Sequence, residues 1–109
     1  GDTNYWIAGY KLAHASLPIP SSNSTNQSID RELIFQQGYK AVKNEIFFGT
    51  KTSNMKKITA TDASHNIIKL SDFNITLKKA SKYYWQVNTI RKNGQYITGP
   101  IWTFTTESF

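Results

Sequence analysis

The chain has 109 residues, 39% hydrophobic and 14% aromatic, with 13 Lys and Arg against 7 Asp and Glu, and no cysteine. That length holds one hydrophobic core, and that apolar content excludes a disordered chain. Without cysteine there is no disulfide framework and no thiolate metal site, so the net charge of +6 is the one compositional hint of a partner.

The chain opens at Gly1 and its sole methionine is Met55, so it is expected to be cut or processed from a longer one. No stretch approaches the ~20 apolar residues that span a bilayer as a helix. Helical periodicity is weak. What recurs is short runs of β-branched and aromatic residues between turn-forming clusters. The first run, Tyr5 to Leu12, leads into Pro18-Ile19-Pro20, and prolines so close together mark a strand end or an edge. Residues 1–15 are expected to be a linker or an additional edge strand, and residues 16–109 the domain. The polar stretch Ser21 to Ser28 reads as a loop. In Arg31 to Gln37, Leu33 and Phe35 share a face, and in Asn44 to Thr50, Ile46 and Phe48 do. Lys51 to Asn54 reads as a turn and Met55 to Thr61 as a peripheral strand. Asn66 to Leu70 and Phe73 to Leu77 are expected to be short strands broken at Ser71-Asp72.

The last third carries the clearest pattern. Tyr83, Trp85 and Val87 alternate onto one face, and Asn93-Gly94 predicts a hairpin turn with positive φ at both central positions. Gly99-Pro100 within the return run predicts a bulge before Ile101 to Thr106. About seven short strands with turns every 8–12 residues predict an all-β, seven-stranded antiparallel sandwich. Its core is expected to be Leu33, Phe35, Ile46, Phe48, Leu77, Tyr83, Trp85, Val87, Trp102 and Phe104.

Tyr83-Tyr84-Trp85-Gln86-Val87, Asn93-Gly94 and Gly99 to Thr106 resemble the last two strands of fibronectin type III-like domains. The resemblance is greatest to the copies attached to exported bacterial enzymes and surface proteins. Asn44 to Thr50 is similar to the family's third strand, which ends in an aromatic-Gly-Thr or Gly-Ser turn. Leu77 lies six residues before Tyr83, as in the family's tyrosine corner, where the hydroxyl bonds an upstream backbone group. The resemblance spans residues 16–106. Phe35 departs from a usual tryptophan, Asn44 from an inward aromatic and Ala80 from a proline. The resemblance implies an immunoglobulin-like sandwich in a secreted, periplasmic or cell-surface setting.

The chemical inventory is poor. His14 and His65 lie in polar surroundings with no Cys, Asp or Glu read at ligand spacing. Asp30 and Glu32 share a face, but flanking Arg31 they read as solubilising charge rather than an acid–base pair. No serine sits in a G-x-S-x-G elbow, and no glycine-rich phosphate loop is present. No catalytic, cofactor-binding or metal-binding residue is expected, and the chain reads as not an enzyme. Residues 40–92 hold 11 basic residues against Glu45, Asp62 and Asp72, a local +8. The clusters Lys56-Lys57, Lys78-Lys79-Lys82 and Arg91-Lys92 occupy separate turns and strand ends, with few arginines and no interleaved stacking pattern. Lysines so placed discourage edge-to-edge pairing, and the arrangement argues against nucleic acid.

With Tyr83, Trp85, Trp102 and Phe104 assigned inward, Trp6, Tyr5, Tyr10, Tyr84 and Tyr96 are left as candidates for ligand or interdomain contact. The expected function is that of a non-catalytic accessory module: a spacer, interdomain packing partner or adhesion surface. Its partners would be neighbouring domains of the same chain or another protein. The alternative is a carbohydrate-binding module that stacks exposed rings on a glycan. Sequons at Asn23, Asn26 and Asn74 are discounted, because a chain rich in Asn, Ser and Thr makes such triplets by chance.

Overall fold

A computed structural model describes residues 12–109. In chain order its strands are β1 (Ser16–Ile19), β2 (Ser24–Gln27), β3 (Leu33–Gln36), β4 (Ala41–Gly49), β5 (Lys56–Asp62), β6 (Ile67–Ile68), β7 (Lys82–Arg91), β8 (Tyr96–Ile97) and β9 (Ile101–Thr106). Two short 3-10 helices, Thr52–Asn54 and Leu70–Phe73, fill connections. The fold is all-β in two sheets. The smaller has the order β1-β3-β6; the larger has β2-β9-β7-β4-β5, with β8 pairing beside β7. Every pairing is antiparallel except that of β2 with β9.

About seven strands were expected, and two chain breaks account for much of the difference. The predicted strand end is at Pro20, which has no N–H for a ladder; beyond it the chain passes from the smaller sheet in β1 to the larger in β2, a strand where a loop is expected. The last run divides at Gly99-Pro100. A Cβ on Gly99 would stand 2.1 Å from the Val87 carbonyl oxygen, so only glycine lets the two backbones come so close. The predicted bulge lies here.

All ten residues expected in the core are buried. Alternation explains them: β7 turns Tyr83, Trp85 and Val87 inward, and β9 answers with Trp102 and Phe104 across the register Tyr83↔Phe104 and Trp85↔Trp102. Trp85 meets its cross-strand partner Trp102 edge-on at 4.8 Å and Phe35 edge-on at 6.5 Å, the latter contact joining the two sheets. Each such buried ring contributes roughly 1.5–3 kcal/mol in area removed from water. The Trp85 indole N–H is buried without a hydrogen-bond partner, so Trp85 is held by packing alone.

The Tyr83 hydroxyl accepts a hydrogen bond from the Lys78 backbone N–H at 2.7 Å, which ties the chain ahead of β7 to the core ring. Ala80, within this loop, has a φ of 53°, a conformation closed to proline. Asn44 is fully buried, its amide donating to Gln37 Oε1 at 2.5 Å. The Asn44 side-chain carbonyl oxygen is buried without a partner among the described residues, so only half of this polar side chain is satisfied near the start of β4, where the resemblance would place an aromatic ring.

Three local expectations are corrected. Ser21 to Ser28 is not wholly loop, because Ser24–Gln27 forms β2 in register with Phe104 and Thr106 of β9. Backbone groups make that pairing, so it needs no apolar side chain. Phe73 to Leu77 is not a strand: Leu70–Phe73 coils into a 3-10 turn that ends at Asn74 with a φ of 61°. Leu77 nevertheless reaches the core, with Phe73 and Ile75 packed against it. The hairpin after β7 has positive φ at Gly94 alone, 85°. Gly94 N–H bonds Arg91 C=O, and Arg91 N–H bonds Gln95 C=O, so the loop has three residues with glycine in the left-handed position.

Candidate binding face

The alternation that buries Tyr83, Trp85 and Val87 sends Tyr84, Gln86 and Asn88 to the outer face of the larger sheet. On β4, which pairs with β7 through Glu45↔Asn88 and Phe47↔Gln86, the outward residues are Glu45 and Phe47. Tyr96 on β8 reaches this face from the hairpin and is 50% exposed. Its hydroxyl donates to Glu45 Oε1 at 2.7 Å and accepts from Asn88 Nδ2 at 2.9 Å. Lys57 of β5 holds the other Glu45 oxygen at 3.3 Å. Asn88 Oδ1 in turn accepts the Gly99 N–H at 2.9 Å, and Gln86 Nε2 donates to Gly99 C=O at 2.7 Å. The bulge, the hairpin and the centre of the sheet are thus joined by one polar network.

The network sets the ionisation of its members. The Tyr96 hydroxyl, and after it the Lys57 ammonium, hold the Glu45 carboxyl below its ordinary value against the opposing effect of burial. Burial first, then the neighbouring Glu45 carboxylate, pushes the Tyr96 phenol above 10.0. At neutral pH the face therefore presents a carboxylate with both oxygens engaged and a neutral phenol. Tyr84 stands opposite Gly49, half-buried, with the Lys82 ammonium 5.6 Å from its ring centre. Among the described residues no partner bonds the Tyr84 hydroxyl.

Of the five aromatics singled out in the sequence, Tyr84 and Tyr96 come to this one face, while Tyr5, Trp6 and Tyr10 lie outside the described residues. Glu45, Phe47, Gln86 and Asn88 were missed, although the period of two that turned Ile46 and Trp85 inward already sent them outward. Tyr39, 51% exposed, was also missed. It lies elsewhere, with Lys40 5.4 Å and Arg91 5.9 Å from its ring centre.

The remaining candidates are dispersed or quiet. His65 does have an acidic neighbour, contrary to expectation: Asp62 Oδ1 lies 3.1 Å from its Nδ1. Ser64 joins them, its Oγ 2.5 Å from the same carboxylate oxygen and 3.2 Å from the same ring nitrogen. A nucleophile relay needs opposite imidazole nitrogens for the acid and the hydroxyl, and here both crowd Nδ1 on an exposed turn. The hydroxyl of Ser64, then the His65 ring, hold Asp62 down at about 2. His14 Nδ1 lies 2.7 Å from the Ala15 carbonyl oxygen. Among the described residues no group of three or more His, Asp or Glu is placed to hold a metal ion, and no helix is long and apolar enough to cross a membrane.

The lysines are scattered. Lys82 and Arg91 begin and end β7, about 30 Å apart at ~3.3 Å per residue, and Lys57 is paired with Glu45. The sequon residues Asn23, Asn26 and Asn74 all have left-handed φ, at 68°, 58° and 61°, a conformation asparagine tolerates well. The sequence matches no protein-family model, no curated protein and no solved structure.

Proposed function

We propose that the chain is a fibronectin type III-like module, non-catalytic, within a larger exported or cell-surface protein. It acts there as a spacer, interdomain packing partner or adhesion surface. The observation that carries this reading is the Tyr83 hydroxyl bound to the Lys78 N–H, the hydrogen bond of a tyrosine corner. The division of strands between two sheets, β1-β3-β6 against β2-β9-β7-β4-β5, accords with it. So does the outer face, where Glu45, Tyr96 and Asn88 bond one another and brace the sheet. Interdomain contact is tested by comparing amide spectra of this chain alone and joined to its neighbouring domains. Shifts confined to one contiguous surface are expected, and superimposable spectra would sink the packing role.

A second reading, glycan binding, is favoured by one observation: Tyr84 and Tyr96 share a face with Gln86 and Glu45, with Asn88 buried beneath Tyr96. Aromatic planes beside an amide and a carboxylate can stack on a sugar and bond its hydroxyls. Titration with soluble oligosaccharides separates the readings. Affinity lost in both Tyr84→Ala and Tyr96→Ala variants favours the glycan, whereas no heat or shift at millimolar sugar leaves the structural role.

A further inference from the structure

Asn93 is one of nine asparagines and the only one followed by glycine. It stands at the tip of the hairpin between β7 and β8, where residues 92–96 are all exposed. Gly94 has open space around the position a Cβ would take. At each other asparagine the next residue carries a Cβ that crowds its own backbone nitrogen.

An asparagine before glycine carries a reaction within the chain itself. The Gly94 backbone nitrogen, once it gives its proton to hydroxide, attacks Cγ of Asn93. A C–N bond forms, the bond to the side-chain amide nitrogen breaks, and ammonia leaves. The five-membered imide then takes up water at either carbonyl. It opens to aspartate, or to isoaspartate, in which the main chain runs through the former side chain. Water enters and ammonia departs, with no oxidant or reductant required. Two features of the hairpin favour the step. Gln95 N–H donates to Asn93 Oδ1 at 3.0 Å, which folds the side chain back over the next peptide unit and sets a donor where negative charge develops. Arg91 and Lys92 precede Asn93 and no acid occurs in residues 73–106, so the amide anion and the product carboxylate both lie beside cations. One feature opposes it: the Gly94 N–H donates to Arg91 C=O at 2.9 Å, and that bond must open first. At an exposed tip such opening costs little.

The product matters because of where the hairpin leads. Tyr96, just beyond the tip, bonds Glu45 and Asn88, and β8 meets β7 at Thr89↔Ile97 and Ile90↔Tyr96. The loop is closed by Arg91 N–H donating to Gln95 C=O at 2.9 Å. Aspartate keeps the backbone path and an acceptor for the Gln95 N–H. Isoaspartate adds a methylene to the path inside a loop whose ends are already tied, so the pairing beyond it shifts. We propose that Asn93 is a self-modifying site, converted by attack of the Gly94 nitrogen, and that its isoaspartyl form releases Tyr96 from Glu45 and Asn88. The chemistry rests on the hairpin alone, not on what the outer face binds.

The test incubates the 109-residue chain in mildly alkaline buffer at ~37 °C beside an aliquot unfolded in urea, and peptide mapping locates each gain of about 1 Da. The gain is expected at Asn93 ahead of every other asparagine. It should rise about tenfold per pH unit, and run about tenfold slower in the folded chain than in urea, the effect of one neutral hydrogen bond. Asn93→Gln, which needs a six-membered ring, should lose the gain. In NMR spectra the isolated isoaspartyl chain should show displaced Tyr96 ring signals, while Asn93→Asp keeps those of the parent. Conversion in urea but none in the folded chain, another asparagine converting as fast, a rate indifferent to pH, or a gain that persists in Asn93→Gln would overturn the site. Unmoved Tyr96 signals in the isoaspartyl chain, or equal displacement in Asn93→Asp, would overturn the release.

Discussion

Replacing Tyr83 by phenylalanine removes one oxygen and leaves the ring. The ring stacks on Phe48 at 5.4 Å and leans on Phe104 at 5.7 Å, contacts the substitution preserves. What is lost is the acceptor for the Lys78 N–H, 2.7 Å away. A neutral hydrogen bond contributes about 0.5–1.5 kcal/mol net, and a buried donor left unpaired costs about 1–3 kcal/mol. Lys78 is itself exposed, so water reaches part of the loop and the lower end of that range applies. A loss of about 1–2 kcal/mol is expected, at roughly 4–8 °C in Tm per kcal/mol for a domain near 100 residues. Urea unfolding followed by tryptophan fluorescence measures it, with an unchanged slope certifying that the same surface unfolds. Tyr84→Phe is the control, since its hydroxyl has no partner among the described residues, and it should stay within about 0.5 kcal/mol of the parent. If Tyr83→Phe costs no more than Tyr84→Phe, the corner contributes nothing to stability and the reasoning from it fails.

Trp85→Ala should cost ~3–5 kcal/mol, as truncation of a fully buried aromatic does, and a loss under about 1 kcal/mol in chemical denaturation would remove Trp85 from the core. Gly99→Ala places a Cβ 2.1 Å from the Val87 carbonyl oxygen, whereas Gly94, at φ 85°, has open space around it. Thermal melts should therefore show Gly99→Ala losing several-fold more stability than Gly94→Asn, which keeps a left-handed-tolerant residue; equal losses would refute the close approach. The folded state favours the neutral Tyr96 phenol, because burial and then Glu45 raise its pKa above 10.0. That stabilisation is full below the ordinary phenol value and is lost as pH rises through the folded one. An NMR titration of the Tyr96 ring should find Glu45→Gln moving its midpoint down, and an unmoved midpoint would contradict the contact.

The candidate face was half legible. Tyr84 and Tyr96 were recognisable as rings left over once the core was filled, whereas Glu45 and Phe47 were missed although the same alternation sends them outward. Their association was not legible, because Tyr96 and Glu45 are 51 residues apart and meet only where the hairpin folds back over β4. His65 was misjudged for a related reason: its acid, Asp62, sits three residues earlier on a tight turn, a geometry that residue spacing alone did not reveal.

What the residues determined by themselves was the inward set of β3, β4, β7 and β9, because a period of two divides side chains between faces wherever one face is buried. They also marked the breaks at Pro20, Gly94 and Gly99, where missing N–H or Cβ atoms permit what other residues do not. Tertiary structure alone decided that Ser24–Gln27 is a strand, since main-chain groups pair it with β9 and no side-chain pattern records that. It alone placed Leu77 in the core from a loop rather than a strand, and left the Arg31 Nε–H buried without an acceptor. Local alternation is written in consecutive residues. Pairing between distant strands, and the hollows between them, depends on how loops close in space.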